Sequence, residues 1–204
     1  MWSLSSEERA LGLGSEGSSS YYSANIEESD VAFVQAFMTE QKLSAYNTRL
    51  FKADDGSFRL CIASAEPRAA QAHVYKERSI AVEYGDFREE LAAVAASLER
   101  ASEYAANDNQ RNMLAAYVQH FLKGDVDLHK DAQRHWILDS GPVIETNIGF
   151  VESYRDPFGV RAEFESFVAM VDKVMSAKFS TLVDKAEHFL TKMPWDKTFE
   201  KDTF

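Results

Sequence analysis

The apolar positions of this chain change their spacing along its length, which separates a strand-rich first part from a helical second part. Residues 31–38 carry the three-to-four spacing of a short helix. Two strand-like runs follow at 48–51 and 58–63, and the Asp-Gly pair between them is a strong hairpin signal. Alternation continues through 73–84, so a further strand is predicted there.

Helical spacing dominates the next fifty residues. Asp86 stands three residues before Glu89, the capping-box spacing, and predicts the start of a helix with an apolar stripe to residue 101. Asp108 is expected to cap a second helix that stops at Gly124, a residue suited to a C-cap. A third helix is predicted from Asp125 to about residue 138, where Ser-Gly-Pro ends it.

The last third of the chain predicts one strand and one long helix. Residues 143–154 alternate as a strand, and Asp-Pro-Phe-Gly at 156–159 fits a type I turn. Residues 162–191 keep a three-to-four apolar spacing, which predicts a single helix ended by Pro194. On that helix four apolar side chains should be buried and two acids exposed: Phe164, Val171, Met175 and Leu182, with Glu163 and Asp172. Strands grouped before helices indicate an α+β fold.

The end of the predicted strand carries the most distinctive side chains. Glu152 and Tyr154 are two residues apart, so on a strand they point to the same face, with Ser153 and Arg155 on the other. A carboxylate beside a phenol can hold a cationic amine and a peptide group, the chemistry that captures a peptide N-terminus. On spacing alone, the commoner explanation of this pair is an ordinary edge strand on which the glutamate forms a salt bridge.

The segment IGFVESYRDPFG (148–159) resembles the corresponding stretch of the dipeptidyl peptidase III family, zinc exopeptidases that remove dipeptides from peptide N-termini. The resemblance runs from about residue 2 to the end of the chain. Further ungapped motifs agree in the same order: LGLGSEG (11–17), SAYNTRLFK (44–52), YAAN (104–107), RHWILDSGPVIE (134–145), MSAKF (175–179), and PW (194–195) followed by TFEKD (198–202).

The resemblance implies a two-lobed enzyme with a wide cleft, in which residues 1–204 are a single lobe of a longer protein. This lobe would be α+β, with a small antiparallel β-barrel or sheet packed with several helices, and would end in the long helix. Its partners would be an oligopeptide held by its free N-terminus and the missing zinc-bearing lobe. A peptide-binding or structural interaction module without catalysis is the alternative.

The resemblance also implies roles for four residues on this side of the cleft. Glu152 would receive the substrate ammonium, and Tyr154 would hydrogen-bond the peptide or the tetrahedral oxygen of the transition state. Ser153 would contribute through its backbone. Glu165 matches a cleft acid, although a surface salt bridge competes with that role. Arg155 and Asp156 are interpreted as structural, bracing the turn.

Zinc belongs to the intact family enzyme, and no zinc is expected on this chain alone, which is therefore expected to be inactive. The family's zinc helix has the pattern His-Glu-x-x-x-His, whereas none of the five histidines here is followed by Glu and no two are five apart. His129 and His135 would lie on different faces of one helix. Each histidine is interpreted as a surface or packing residue.

The amino-acid composition indicates which binding partners and which cellular compartment to expect. The formal charge of −11 argues against nucleic acid, which requires clustered Lys and Arg. The single cysteine, Cys61, cannot form an internal disulfide and is interpreted as a buried hydrophobe, which favours a reducing compartment, the cytoplasm. No apolar run is long enough to span a membrane, and the acidic N-terminus is not expected to be a signal peptide.

Overall fold

The computed structural model describes residues 10–201, so the first nine residues, where the signal-peptide expectation falls, and the last three lie outside it. The chain divides into two compact units. The first contains residues 10–141 and 146–167, and the second contains residues 142–145 and 168–201. Whether the whole chain is a single lobe of a longer protein remains a prediction.

A helix and a four-stranded sheet form the first part of the larger unit. Helix α1 (Glu28–Glu40) precedes four strands, β1 (Thr48–Lys52), β2 (Phe58–Ala63), β3 (Gln71–Tyr75) and β4 (Arg78–Asp86). The order across the sheet is β1-β2-β4-β3, with β2 and β4 parallel and the other two pairs antiparallel. The described strands do not close into a barrel.

The β1–β2 hairpin confirms the Asp-Gly signal, with Lys52 paired to Phe58. The prediction of one continuous strand over 73–84 is wrong, because Lys76 and Glu77 make a tight turn between β3 and β4. Both residues have positive φ, 44° and 69°. A turn of this kind normally uses Gly, Asn or Asp, so the Lys76-Glu77 pair does not predict a turn.

Three helices follow and pack together: α2 (Arg88–Ser102), α3 (Asp108–Lys123) and α4 (Val126–Trp136). Asp86 does not cap α2 as predicted, because its carboxylate accepts two hydrogen bonds from Arg49 at 2.7 and 2.6 Å. Asn107, not Asp108, caps α3. Gly124 ends α3 in the left-handed conformation, as predicted, and a Cβ there would lie 2.8 Å from the Ala63 carbonyl oxygen.

Two apolar cores stabilise this unit. The first lies between α1 and the sheet and includes Ile26, Val31, Val34, Phe37, Met38, Leu50, Leu60, Ile80 and Val82. The second lies among the three later helices and includes Leu91, Ala95, Met113, Leu114, Tyr117, Phe121 and Ala132. The buried position of Cys61, 7% exposed, is as predicted, and burial raises the pKa of its thiol to about 11.

The end of the chain departs most from the prediction. Strand β5 (Ile144–Phe150) is shorter than the predicted strand, and it pairs with β6 (Phe164–Met170), where a helix was expected. Two helices then follow, α5 (Lys173–Asp184) and α6 (Ala186–Leu190), instead of one. The α+β class is confirmed, whereas the single terminal helix is wrong.

The burial predicted for that helix is also wrong. Phe164, Val171, Met175 and Leu182 are 43%, 44%, 42% and 48% exposed. Glu163 is half-buried rather than exposed. Asp172 is exposed, and its carboxylate caps α5 by accepting from two backbone N–H groups. None of the helices within residues 10–201 combines the length and hydropathy of a membrane span.

Candidate functional site

A turn anchored by Asp156 follows β5. The Gly159 N–H donates to the Asp156 carbonyl at 2.9 Å, which confirms the predicted turn. Asp156 is only 5% exposed, and its carboxylate accepts from the backbone N–H groups of Phe158, Val160 and Arg161 at 3.0, 2.9 and 2.7 Å. The side chain therefore organises the whole turn from inside, the structural role predicted for it.

Arg161 ties this turn to the N-terminal part of the chain. Its side chain is fully buried, its Nη1 donates to the Tyr22 hydroxyl at 3.0 Å, and its guanidinium lies 4.8 Å from the centre of the Tyr22 ring. Burial raises the pKa of Tyr22, which keeps the phenol neutral. The turn and the segment 139 residues earlier are thus held as one unit.

Glu163 anchors the other side of the turn. Val151 N–H donates to the Glu163 carbonyl at 3.1 Å, and Glu163 N–H donates to the Glu152 carbonyl at 2.8 Å. Two residues on one side thus face a single residue on the other, the pattern of a β-bulge. The Glu163 carboxylate accepts the Tyr21 hydroxyl and lies 3.5 Å from Arg155 Nε. Burial, together with this bond to Glu163, raises the pKa of Tyr21.

Three of the predicted site residues, Glu152, Ser153 and Tyr154, lie on this anchored segment, beyond the end of β5. The argument that a strand places Glu152 and Tyr154 on one face therefore does not apply to them. Both side chains are exposed, Tyr154 at 68%, and Ser153 is half-buried. Glu165 is half-buried on β6, two residues after Glu163.

Three of the predicted site groups have no side-chain partner in the described part of the chain. They are the carboxylates of Glu152 and Glu165 and the hydroxyl of Tyr154. Within residues 10–201 none of these three groups makes a side-chain hydrogen bond or an ion pair, whereas Asp156, Arg155 and Glu163 all do. The salt bridges considered for the two glutamates from sequence are therefore not formed in this part of the chain. Three polar groups are therefore left available to a ligand, two on the braced segment and one on β6.

A recess of about 390 Å³ adjoins this segment, and sequence reasoning did not identify it. Its lining includes Tyr21, Arg49, Asp86, Phe87, Glu163 and Phe164. The Arg49 guanidinium lies 4.5 Å over the Phe87 ring, so the charges in the recess are internally paired while its walls are aromatic. Such a recess can hold an apolar side chain. Its residues come from distant segments, so no local motif marks them.

Two of the five histidines, His120 and His129, form a packed pair in the helical core. His120 and His129 are buried with ring centroids 5.4 Å apart, and His120 Nδ1 lies 2.7 Å from the Asp125 carbonyl oxygen. Gly149 leaves room for the His129 ring, since a Cβ there would lie 2.5 Å from Cε1. Across residues 10–201, no three His, Cys, Asp or Glu side chains are grouped to hold a metal ion. The described donors therefore do not fit zinc.

This pair should make stability depend on pH. Burial lowers the pKa of both imidazoles, that of His129 to about 4, from an ordinary value near 6.5. Below about pH 6.5 the unfolded chain takes up protons that the folded chain does not, so stability should fall as pH drops towards 4. We expect His129→Gln to flatten this fall in urea unfolding measured between about pH 7 and pH 5.

The matched control for His129→Gln is His188→Gln, because His188 is exposed on α6. This variant should retain the pH dependence of the unsubstituted chain. An identical pH dependence in all three proteins would show that the buried imidazole does not contribute.

Comparisons with known proteins agree along the whole chain. The sequence model that represents peptidase family M49 matches residues 1–204 of this chain. Dipeptidyl peptidase 3 of Dictyostelium discoideum is 49% identical over 205 residues, and that of Homo sapiens is 45% identical over 218. Each alignment covers 100% of this chain and 30% of the relative, so the chain spans about 30% of the length of these curated relatives.

Solved structures show the same fold. The structure of DPP III from Caldithrix abyssi and that of dipeptidyl-peptidase III from Corallococcus sp. strain EGB each align with a TM-score of 0.52 at 19% identity. Both cover 90% of this chain, and 31% and 30% of their own chains. The family model and the close relatives establish the resemblance that the motifs suggested: this chain belongs to peptidase family M49.

Proposed function

We propose that this chain forms one side of the peptide-binding cleft of a dipeptidyl peptidase that removes N-terminal dipeptides from oligopeptides. Membership of peptidase family M49 and relatives named dipeptidyl peptidase 3 support the reaction class. The observation that carries the proposal is the exposed, unpaired Glu152 carboxylate on a segment whose neighbours are braced by internal bonds.

Glu152 would hold the free ammonium of the peptide. A carboxylate without an internal partner keeps all of its acceptor sites for a ligand, and a bond between two charged groups is about twice as strong as a neutral one. The Glu163 N–H bond to the Glu152 carbonyl fixes the backbone beneath that carboxylate. Binding the amine at a fixed position would set the distance between Glu152 and the peptide bond that is cut.

The other three predicted residues would act around this anchor. The Tyr154 hydroxyl, two residues away, can donate to a peptide carbonyl or to the oxygen that gains charge in the transition state. Ser153 would act through its backbone N–H, because its carbonyl already accepts the Asp156 N–H at 3.2 Å. Glu165 would add a second negative charge to the same side of the cleft.

The second unit would pack against the zinc-bearing lobe that the family resemblance implies. It leaves large apolar side chains open, among them Val168, Met170, Val183 and Phe199, each at least 70% exposed. Its helices also line an apolar groove formed by Leu182, Val183, Ala186, Phe189, Leu190, Met193 and Trp195. Exposed apolar surface of this kind marks a protein interface. Zinc would be held by that lobe.

A peptide N-terminus-binding module without catalysis is the second candidate. It is favoured by the combination of a free Glu152 and a set of described donors that does not fit zinc. In either case we place the protein in a reducing compartment, the cytoplasm, because Cys61, the single cysteine of the sequence, is a free thiol.

A peptide titration tests the amine anchor in this chain. We expect a tetrapeptide with a free N-terminus to give saturable shifts in the amide NMR signals of residues 151–155. The same peptide with an acetylated N-terminus should bind at least about ten-fold more weakly, because a charged contact is lost. Equal binding of the two peptides would rule out amine capture, and binding of neither would favour a purely structural module.

A further inference from the structure

A recess of about 600 Å³ in the larger unit gathers positive charge in an otherwise acidic protein. Four basic side chains line it: Lys42, Arg68, Lys123 and Lys130. The whole chain has 22 basic and 33 acidic side chains. The four come from four places in the fold, the turn after α1, the loop between β2 and β3, the end of α3 and the body of α4. Folding, not local sequence, therefore brings them together.

The two carboxylates in the recess already have partners. Asp127 Oδ1 pairs with Lys130 Nζ at 2.7 Å, and Asp125 Oδ1 caps α4 by accepting the Asp127 N–H at 2.9 Å. The other three bases, Lys42, Arg68 and Lys123, make no ion pair with any carboxylate in the described chain. Asp125 keeps its negative charge, because its partner is a neutral N–H. The lining therefore carries four positive and two negative charges, a net charge of +2.

Arg68 is held in place from two sides. Its guanidinium lies 4.2 Å from the centre of the Tyr84 ring, and its Nη2 donates to the Lys123 carbonyl at 3.0 Å. The guanidinium retains further N–H donors, which two oxygens of one oxyanion can bridge. Stacking reduces the side-chain freedom that a ligand would otherwise have to remove.

The backbone around the recess is also fixed. The buried Asn47 amide donates to the carbonyl oxygens of Gly124 and Ala63 at 2.9 and 3.3 Å, which joins the end of α3 to the sheet. Lys42 has a left-handed backbone, φ 56°, in a turn closed by its N–H on the Thr39 carbonyl at 3.2 Å. A non-glycine residue in this conformation is uncommon and needs support from its surroundings.

We propose that this recess is a binding site for a phosphate-class oxyanion, held by Lys42, Arg68 and Lys123. The volume suits a small molecule, and a net charge of +2 around the recess matches the charge of a phosphate dianion better than that of a single carboxylate. The site is separate from the Glu152 segment and does not depend on the proposed peptidase role. The lining combines the rigid, planar guanidinium of Arg68 with the flexible ammonium groups of Lys42 and Lys123. This combination suits a tetrahedral anion.

Titration of the chain with inorganic phosphate tests this site, with total ionic strength kept constant by sodium chloride. We expect saturable NMR shifts at the backbone amides of Lys42, Lys123 and Gly124, with half-saturation on the order of 1 mM or below. The double variant Arg68→Gln with Lys123→Gln should weaken binding at least about ten-fold. All three bases are exposed, so the fold should survive, which thermal unfolding checks.

The control is Arg88→Gln, since Arg88 is an exposed arginine on α2 outside the recess. It should bind phosphate as the unsubstituted chain does. Shifts that rise linearly without saturation, or equal binding by the double variant, would overturn the proposal. Saturable binding of a tricarboxylate in place of phosphate would overturn the assignment to phosphate.

Discussion

Replacing Asp156 with alanine is expected to lower the free energy of unfolding by about 3 kcal/mol or more, the largest effect of any single substitution considered for this chain. The carboxylate is 5% exposed and accepts three backbone N–H groups, from Phe158, Val160 and Arg161. Alanine would leave these donors without their acceptor, and an unsatisfied buried donor costs about 1–3 kcal/mol. Urea unfolding followed by circular dichroism measures the loss.

Asp55→Ala is the matched control for this substitution. Asp55 also accepts a backbone N–H and a hydroxyl, both from Ser57, but in the exposed hairpin between β1 and β2. Water can replace the lost acceptor there, so the loss should be much smaller. Asp156→Asn, which keeps one carbonyl oxygen, should fall between the two. If Asp156→Ala were no worse than Asp55→Ala, the buried turn would not be the brace that we describe.

The brace would serve the proposed function by fixing the segment that carries Glu152 and Tyr154. Arg161 joins the turn to Tyr22, and Glu163 joins it to Tyr21. These contacts cross 139 and 142 residues of sequence, respectively. A turn tied in this way keeps its shape when a ligand binds, so less conformational freedom is lost in binding.

Local chemistry explains what the sequence predicted correctly. The Asp-Pro-Phe-Gly turn, the Asp-Gly hairpin and the Gly124 helix end each depend on a few neighbouring residues with strong conformational preferences. Helix α1 and the three helices of the second core follow from their apolar spacing, whereas the capping residues predicted for the starts of α2 and α3 are wrong. Such elements can be predicted without knowledge of the tertiary structure.

The errors arise where tertiary pairing decides the structure. The segment FESFVAM (164–170) fits helical spacing, yet its phenylalanines and valine also suit a strand, and pairing with β5 selects the strand. Asp86 fits a capping box, but its bidentate bond to Arg49 holds it elsewhere. Both partners lie too far away in sequence for a local pattern to reveal them.

The candidate site also combines residues that a local pattern can indicate with residues that only the tertiary structure brings in. Glu152 and Tyr154 are singled out by their spacing, and the family resemblance adds Ser153 and Glu165; their roles stay predictions. The groups that surround and brace them, above all Tyr21, Tyr22 and Arg161, carry no signal in the sequence, because each is an ordinary aromatic or basic residue until the fold places it. The β-bulge opposite Glu163 also carries no local signal. The strand argument fails because Glu152 and Tyr154 lie beyond the end of β5, where both side chains are exposed.

Glu152→Gln is expected to reduce peptide affinity about ten- to a hundred-fold while leaving the fold intact. The Glu152 side chain is exposed and has no partner in the described chain, so its replacement should cost little stability. A charge-assisted hydrogen bond to the substrate ammonium is worth roughly 1.5–3 kcal/mol, which corresponds to that loss. Peptide titration of both proteins, with thermal unfolding as the check on the fold, measures the two effects separately.

The decisive comparison combines this variant with acetylation of the peptide amine. If Glu152 and the amine contact each other, each change removes the same bond, so the second should add little to the first. Glu90→Gln, an exposed glutamate on α2, provides the control and should leave affinity and its sensitivity to acetylation unchanged. Additive losses from Glu152→Gln and acetylation would mean that the amine binds elsewhere. In that case Glu165, the second free acid, becomes the anchor to test by the same cycle.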